Sequence, residues 1–206
     1  VIADALTSTI TLGNAVATAT AANDITVKGA VATLNVTGGT GVDNIILDGA
    51  QVKSGTIDLG TTLAKTDLDS VDFTDIQGAV SGADALGVVI NLGSTAYKID
   101  AGTAYETSVA AGHAVEYDAA AGATAKKLVT DGFDLTLSGV EKVTGTANAD
   151  IIIANAAGST INGGAGNDTI ISGAGADTID VGAGADVLVY TATGQTAKTA
   201  VVSGTT

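Results

Sequence analysis

The sequence predicts an all-β protein whose C-terminal part is a parallel β-solenoid, and three observations support this fold class. The chain has 28 Gly, four Tyr and two Phe but no Pro, Cys, Met or Trp, so its core must be built from small aliphatic side chains, which suit thin stacked layers. Asp outnumbers Glu by 19 to three, which favours acidic turns over acidic helices. A nine-residue repeat runs in one frame through residues 145–189.

The charge balance narrows the classes of partner. Eight Lys and no Arg stand against 22 acidic residues, for a net charge of −14. This charge disfavours nucleic acid and anionic membranes and favours divalent cations, although it also keeps an extracellular protein soluble. The absence of Cys excludes disulfides and thiolate metal sites. The sequence contains no run of 18 or more apolar residues, so no transmembrane helix is predicted. The chain begins without Met and without a basic signal-peptide region, so we expect a fragment of a longer protein.

The repeat region contains five consecutive blocks without insertion or loss. They are GTANADIII (145–153), ANAAGSTIN (154–162), GGAGNDTII (163–171), SGAGADTID (172–180) and VGAGADVLV (181–189). Position 6 is Asp150, Ser159, Asp168, Asp177 and Asp186, and position 8 is Ile152, Ile161, Ile170, Ile179 and Leu188. The pattern G-G-x-G-x-D-x-U-x is typical of a β-helix repeat that binds Ca²⁺.

Each block divides into a turn and a short strand. The first six residues, rich in Gly, form a tight turn, and the last three form a strand with position 8 pointing inward. Two repeats complete one coil, so residues eighteen apart stack at about 4.8 Å, the spacing of neighbouring strands. This predicts one row of Asp150, Asp168 and Asp186 and an opposite row of Ser159 and Asp177.

Stacked carboxylates repel one another. At roughly 5 Å and an effective dielectric constant near 20, each neighbouring pair costs about 3 kcal/mol. Ca²⁺ between successive turns would convert the carboxylates into ligands, and turn carbonyls would complete the shell of six to eight oxygens. Metal binding and folding should therefore be one event.

The N-terminal region, 1–75, is rich in Thr, Ala and Asp and predicts a further β-solenoid or a small β-sandwich. The run from Gly38 to Ile45 is a full match to the repeat, which makes Asp43 a further candidate ligand. Val16, Ile25 and Leu34 are nine residues apart and continue the period. The acidic cluster of Asp67, Asp69, Asp72 and Asp75 could form another Ca²⁺ site, but a solvated loop is the preferred interpretation.

The middle region, 76–134, predicts irregular β-structure. A short helix is possible over 75–86, a strand is expected over 88–94, and two strands are expected around a turn at Gly122. The strand pattern of 135–143 leads into the repeats in register, and 135–206 forms the third predicted region.

The stretch LSGVEKVTGTANADIII resembles the lead-in of RTX (repeats-in-toxin) proteins, in which a strand, a Glu and a G-T-A-x-x-D turn begin the nonapeptide run. The residues that carry the resemblance are Glu141, Gly145, Thr146, Ala147 and Asp150. The strong similarity covers 135–190. It implies a right-handed parallel β-roll with Ca²⁺ between the turns, and export by a type I system.

The resemblance also implies sets of ligands. One site would use Thr146, Asn148, Asp150, Gly163, Ala165 and Asp168, and the next would use Gly164, Gly166, Asp168, Val181, Ala183 and Asp186. Asn155, Ala157, Ser172, Ala174 and Asp177 would form a poorer site on the opposite side, because Ser159 replaces its first Asp. A fourth site, from Gly173, Gly175 and Asp177, would need another coil in which Gln195 stands where Asp is expected.

No catalytic constellation is found in the sequence, so we expect a non-enzymatic protein. His113 is the only histidine, and neither a G-x-S-x-G elbow nor a P-loop is present. The preferred interpretation is a calcium-dependent structural protein outside the cell: a segment of a surface-layer (S-layer) lattice or an adhesin that self-associates, with cell-surface polysaccharide as a further candidate partner. The alternative is the C-terminal RTX folding and secretion module of a secreted hydrolase, such as a serralysin-like protease or a lipase.

Overall fold

The computed structural model describes residues 7–11, 23–39, 41–60, 68–78, 86–104, 106–119, 127–129 and 131–190. Within these ranges every regular element is a β-strand, which confirms the all-β prediction. The same ranges contain no helix long and apolar enough to cross a membrane.

The strands fall into three groups along the chain. The N-terminal strands are β1 (Thr7–Thr11), β2 (Asn23–Thr37), β3 (Asp43–Asp58) and β4 (Ser70–Asp72). The middle strands are β5 (Val88–Asn91), β6 (Tyr97–Ile99), β7 (Thr107–Val109), β8 (His113–Glu116) and β9 (Asp134–Ser138). The strands of the repeat region are β10 (Lys142–Thr144), β11 (Ile151–Ile153), β12 (Thr160–Asn162), β13 (Thr169–Ile171), β14 (Thr178–Asp180) and β15 (Val187–Val189).

Thirteen of these strands form one curled sheet. Eleven of them follow the order β14-β12-β10-β4-β3-β9-β8-β5-β11-β13-β15, while β2 also pairs with β3, and β1 pairs with β2. The long strand β3 connects two arms, because residues 44–46 pair with β4 while residues 54–58 pair with β9. The first arm is β4-β10-β12-β14, and the second arm is β9-β8-β5-β11-β13-β15. Strands from all three predicted regions therefore join the same sheet.

The two arms share one apolar core. The inward-pointing residues of the repeats, Ile152 and Ile170 on the second arm and Ile161 and Ile179 on the first, are at most 1% exposed and belong to the same cluster. The predicted inward orientation of position 8 is therefore confirmed. The N-terminal coils add apolar side chains such as Phe73 to this core.

The repeat region stacks in steps of eighteen residues, as predicted. Lys142 lies opposite Thr160, which lies opposite Thr178, and all of these pairings are parallel. On the second arm the parallel pairs are Ile151 with Thr169, and Thr169 with Val187. Successive nine-residue blocks thus contribute alternately to the two arms.

The N-terminal coils are longer than the period of the repeats, so the nine-residue period inferred there is wrong. Asn23 pairs with Asp43, and after a register shift between Val27 and Gly29 the offset from β2 to β3 grows by one residue. Ile25 and Leu34 are both buried in β2, a single long strand in which Gly29 has φ = 74°. Val16 lies outside the described residues.

The middle region makes the sheet mixed rather than wholly parallel. Strand β8 lies antiparallel between β5 and β9. The expected strand over 88–94 is confirmed over its first four residues as β5, and the strand pattern of 135–143 is present as two separate strands, β9 and β10. Most of the candidate helix over 75–86 and the candidate turn at Gly122 lie outside the described residues, although Tyr117 and Leu128 form an antiparallel bridge.

A hairpin of β6 and β7 covers the outer surface of the second arm. Its Ile99 and Val109 pack with Val89 and Ile151 in a second apolar cluster. The buried amide nitrogen of Asn91 anchors the chain beside it, donating to the carbonyl oxygens of Thr95 at 2.9 Å and of Val109 and Ala110 at 3.1 Å. Nothing in the sequence pattern singled out Asn91 for this role.

Close stacking of the repeat turns gives a prediction about glycine. Gly164 has φ = 100°, and a Cβ added there would overlap the carbonyl oxygen of Thr146 in the neighbouring turn. Gly49 has φ = 64°, but a Cβ added at Gly49 would meet no heavy atom within 4 Å. Gly49→Ala should therefore cost only the left-handed backbone penalty of about 1–2 kcal/mol, whereas Gly164→Ala should cost clearly more. Thermal unfolding of both variants in calcium, followed by circular dichroism, measures the difference; equal losses would contradict it.

Candidate metal centre

Three acidic side chains line up at the start of the strands of the second arm. The main-chain N–H of Asp150 donates to Oδ1 of Asp168 at 2.8 Å, and the N–H of Asp168 donates to Oδ1 of Asp186 at 2.9 Å. Asp150 and Asp168 are buried, and Asp186 is half-buried. The predicted row is therefore formed, and we refer to these three residues as the Asp168 column.

A second column runs along the first arm, and it is longer than the sequence indicated. As predicted, Ser159 and Asp177 are neighbours, since the N–H of Ser159 donates to Oδ1 of Asp177 at 2.9 Å. The strand register continues this column through the N-terminal coils. The Asp177 column consists of Asn23, Asp43, Asp69, Glu141, Ser159 and Asp177.

The N-terminal members of the Asp177 column use the same kind of contact as the repeats. The N–H of Asp43 donates to Oδ1 of Asp69 at 2.7 Å, while Asn23 uses its side-chain Nδ2 rather than its main-chain N–H to donate to Oδ1 of Asp43 at 2.7 Å. The N–H of Asp69 in turn donates to Oε2 of Glu141 at 3.1 Å. A usable sequence signal existed, because each of these polar residues stands two positions before a buried strand residue, as Asp43 does before Ile45.

The predicted solvated loop around Asp69 is wrong for that residue. Asp69 is only 3% exposed and lies within the Asp177 column. Its neighbour Asp72 faces elsewhere and accepts hydrogen bonds from the N–H and hydroxyl of Thr74. Asp69 and Asp72 of this acidic cluster therefore have different surroundings and different hydrogen-bond partners. Asp67 lies outside the described part of the chain.

Main-chain carbonyls of successive turns lie beside the Asp168 column. The Thr146 carbonyl accepts the N–H of Ala165 at 3.2 Å, and the Gly164 carbonyl accepts the N–H of Ala183 at 3.0 Å. A Cβ on Gly163 would overlap the Val181 carbonyl and lie 2.6 Å from Oδ2 of Asp168. Turn carbonyls and carboxylates thus meet between neighbouring coils, where only glycine fits.

Burial disturbs the ionisation of this column. Removal from water raises the pKa of Asp168 to about 7, and the neighbouring charges of Asp150 and Asp186 add to the effect. Burial also raises the pKa of Asp150 to about 6, against hydrogen bonds from Thr146 and Val88 that favour the charged form. Oδ2 of Asp168 is buried and has no hydrogen-bond donor. A cation beside Asp168 would supply the partner that this oxygen lacks.

The donor chemistry fits a hard cation. The described residues contain no cluster of three or more His, Cys, Asp or Glu that could hold a metal ion. A site here must therefore combine two carboxylates with main-chain carbonyls, which is a combination that Ca²⁺ accepts. The absence of nitrogen and sulfur donors is unlike a zinc centre.

The other predicted ligands lie in the stacked turns, where main-chain oxygens would be the donors. Thr146, Asn155, Gly163, Ser172 and Val181 are buried; Gly164, Gly166, Gly173 and Gly175 are half-buried; and Asn148, Ala157, Ala165, Ala174 and Ala183 are exposed at the turn tips. Asp43 is fully buried, and Oδ2 of Asp43 accepts the N–H of Gly39 at 2.9 Å. The assignment of individual ligands stays a prediction.

Comparison with known proteins identifies the repeats. Residues 157–188 match the RTX calcium-binding nonapeptide repeat, in four copies. No curated protein matches the chain. RTX nonapeptide repeats bind calcium ions, and proteins that carry them are typically secreted. Calcium is therefore the ion of this repeat region, and the match covers its C-terminal blocks rather than the lead-in.

Substitution of the central carboxylate should be severe. Asp168→Ala removes the carboxylate that lies between Asp150 and Asp186 and that accepts the buried N–H of Asp150. Loss of a charged ligand worth about 1.5–3 kcal/mol should weaken calcium binding by roughly ten- to a hundredfold. Isothermal titration measures this. Asp134→Ala is the control, because it removes the same charge from a side chain that is 59% exposed; equal effects of the two changes would contradict the prediction.

The raised pKa values give a pH dependence with a definite sign. The pKa values of Asp150 and Asp168 in the metal-free fold lie above the unfolded value near 3.9. The folded state therefore binds more protons, and the metal-free chain should lose stability as pH rises from about 4 through 7. Thermal melts in EGTA between pH 5 and 8 test this. Calcium affinity should change in the opposite direction, because protons compete for the same oxygens; a metal-free melting temperature that rises with pH would contradict the assignment.

Proposed function

We propose, from the RTX match of residues 157–188, that this chain is a segment of a secreted structural protein of the cell surface, either an S-layer lattice or an adhesin. Its repeats fold as a right-handed parallel β-roll on extracellular Ca²⁺. The observation that carries the proposal is the Asp168 column, in which buried carboxylates one coil apart include an oxygen without a donor.

The proposed ligands of the repeat region lie around this column. One Ca²⁺ would be held by Asp150 and Asp168 with the carbonyls of Thr146, Asn148, Gly163 and Ala165. A second would be held by Asp168 and Asp186 with the carbonyls of Gly164, Gly166, Val181 and Ala183. The close approach of glycine and carbonyl in these turns supports such shared cages.

Calcium concentration would act as the folding switch. Sites of extracellular modules typically bind at about 10⁻⁴–10⁻³ M, so they are empty in a low-calcium cytosol and filled outside the cell. At free calcium of roughly ten times Kd, each site adds about 1.4 kcal/mol of stability. Two sites that share Asp168 would be enough to decide folding of the repeat coils, because native domains are only marginally stable.

The role is proposed to be structural rather than catalytic. The chain has one histidine and no cysteine. In the structure, Nδ1 of His113 lies 2.7 Å from Oδ1 of the exposed Asp134, on the two strands of the second arm nearest β3. That pair is a contact between the neighbouring strands β8 and β9.

Circular dichroism tests the switch. In EGTA at pH 8 the β-signal of the repeat region should be lost, because the charged carboxylates of the Asp168 column repel one another. Millimolar Ca²⁺ should restore the signal by binding to these carboxylates. Mg²⁺ at the same concentration is the control, since it dehydrates reluctantly and demands a tighter octahedral shell. A β-signal that is unchanged by EGTA would contradict the proposal.

Electron microscopy distinguishes the two candidate roles. Purified protein in millimolar Ca²⁺ should form ordered sheets if the chain is a lattice segment. Lasting monomers that still bind calcium would instead favour the folding module of a secreted hydrolase.

A further inference from the structure

We infer that the repeat region binds calcium along one edge only: the Asp168 column holds the metal, whereas the Asp177 column is a spine whose coils are joined by hydrogen bonds and whose repeat residues, Ser159 and Asp177, hold no metal. This inference rests on the proposed calcium-dependent folding, and it narrows where the ions bind. The resemblance to RTX repeats alone predicts sites on both edges.

The spine lacks a carboxylate where a site on that edge would need one. Ser159 occupies position 6 opposite Asp177, and its hydroxyl accepts the N–H of Asn155 at 3.0 Å. Because Ser159 stands where the other edge has an Asp, Asp177 supplies the only negative charge between these two turns. Asp168, in contrast, has an acidic neighbour on each side. The Coulomb repulsion that a cation would relieve is therefore much smaller on this edge.

Asn155 makes the same turn still less suitable for a cation. Its amide oxygen accepts the N–H groups of Ala157 at 2.9 Å and Gly158 at 2.8 Å. Its amide nitrogen is buried and has no acceptor among the described contacts. The acceptor end of this side chain is thus used by the turn itself, and the end left over is a donor, which does not bind metal ions.

The next step of the spine has no second turn at all. Strand β9 ends at Ser138 and β10 begins at Lys142, so Glu141 is the last residue of a three-residue link, whereas the repeats have a six-residue turn at this place. The N–H of Glu141 donates to the carbonyl of Asp69 at 3.0 Å. The Glu141 carbonyl accepts the N–H of Thr160 at 2.8 Å, which is the same contact that the Asp150 carbonyl makes with Thr169 on the other edge. A cage built from two glycine-rich turns cannot form there.

Hydrogen bonds then continue the spine to the N-terminal coils. Both oxygens of Asp43 accept donors, from the Asn23 amide and the Gly39 N–H, and the Asp43 N–H reaches Asp69. Both oxygens of Asp43 therefore have hydrogen-bond donors from the protein itself. The spine therefore joins the repeats to a preformed stack, on which calcium then closes the opposite edge.

Two isosteric variants of the whole 206-residue chain separate the two edges. Asp168→Asn should lower the number of calcium ions bound per chain by two, because Asp168 is shared by both proposed sites. Asp177→Asn should leave that number unchanged, since an Asn Oδ1 can still accept the Ser159 N–H. Equilibrium dialysis with ⁴⁵Ca²⁺ counts the ions, and loss of one or more ions from Asp177→Asn would overturn the inference.

A variant that gains a calcium ion complements this test, because a gain of binding cannot result from misfolding. Asn155→Gly with Ser159→Asp recreates on the spine the Gly164 and Asp168 pattern of the other edge. This double variant should bind one more calcium ion than the parent chain. If it binds the same number as the parent, and Asp177→Asn binds fewer, the native spine already holds calcium and the inference is wrong. A parent chain that binds no calcium would instead refute the proposed function itself.

Discussion

One recurring hydrogen bond holds each repeat coil to the next. The residue just before a strand donates its main-chain N–H to a side-chain oxygen of the equivalent residue one coil later, as Asp150 does to Asp168 and Ser159 does to Asp177. These groups are buried, and an unmade bond of this kind costs about 1–3 kcal/mol. A polar residue at this position is therefore a requirement of the fold before it is a requirement of metal binding.

The same requirement produces two different edges. Where the acceptors are Asp on three successive coils, charge accumulates in a buried place, and the pKa of the middle carboxyl rises to about 7. In the repeat part of the other column Ser159 stands beside Asp177, so only one of the two side chains is acidic, and further along both oxygens of Asp43 accept hydrogen bonds. Metal dependence is thus a property of which acceptor the sequence places at each step, rather than of the coil geometry.

Much of the repeat region could be predicted from the sequence because its rules are local. A fixed spacing determines the stacking, and that is why the partners of Asp168 and the burial of Ile161 followed from counting alone. The long offsets between Asp43, Asp69 and Glu141 could not be counted, since links of variable length separate the strands. Their shared position before a buried strand residue was visible but carried no period.

The middle region was the least predictable for a related reason. The antiparallel course of β8 and the hairpin of β6 and β7 depend on contacts between distant segments, such as the three carbonyls that meet the Asn91 amide. From the sequence alone, an Asn at the end of an apolar strand is ordinarily expected to be a polar residue of a turn. Its burial at 0% exposure is set only when the hairpin folds over it.

The alternation of blocks between two arms restricts how such a protein can change length. One nine-residue block adds a strand to a single arm, so the gain or loss of one block before Asp186 would shift all later blocks to the opposite arm and move Asp186 from the Asp168 column to the Asp177 column. Only an even number of blocks leaves both columns in phase. Duplication in this region should therefore be accepted by evolution, or by a protein engineer, in units of eighteen residues.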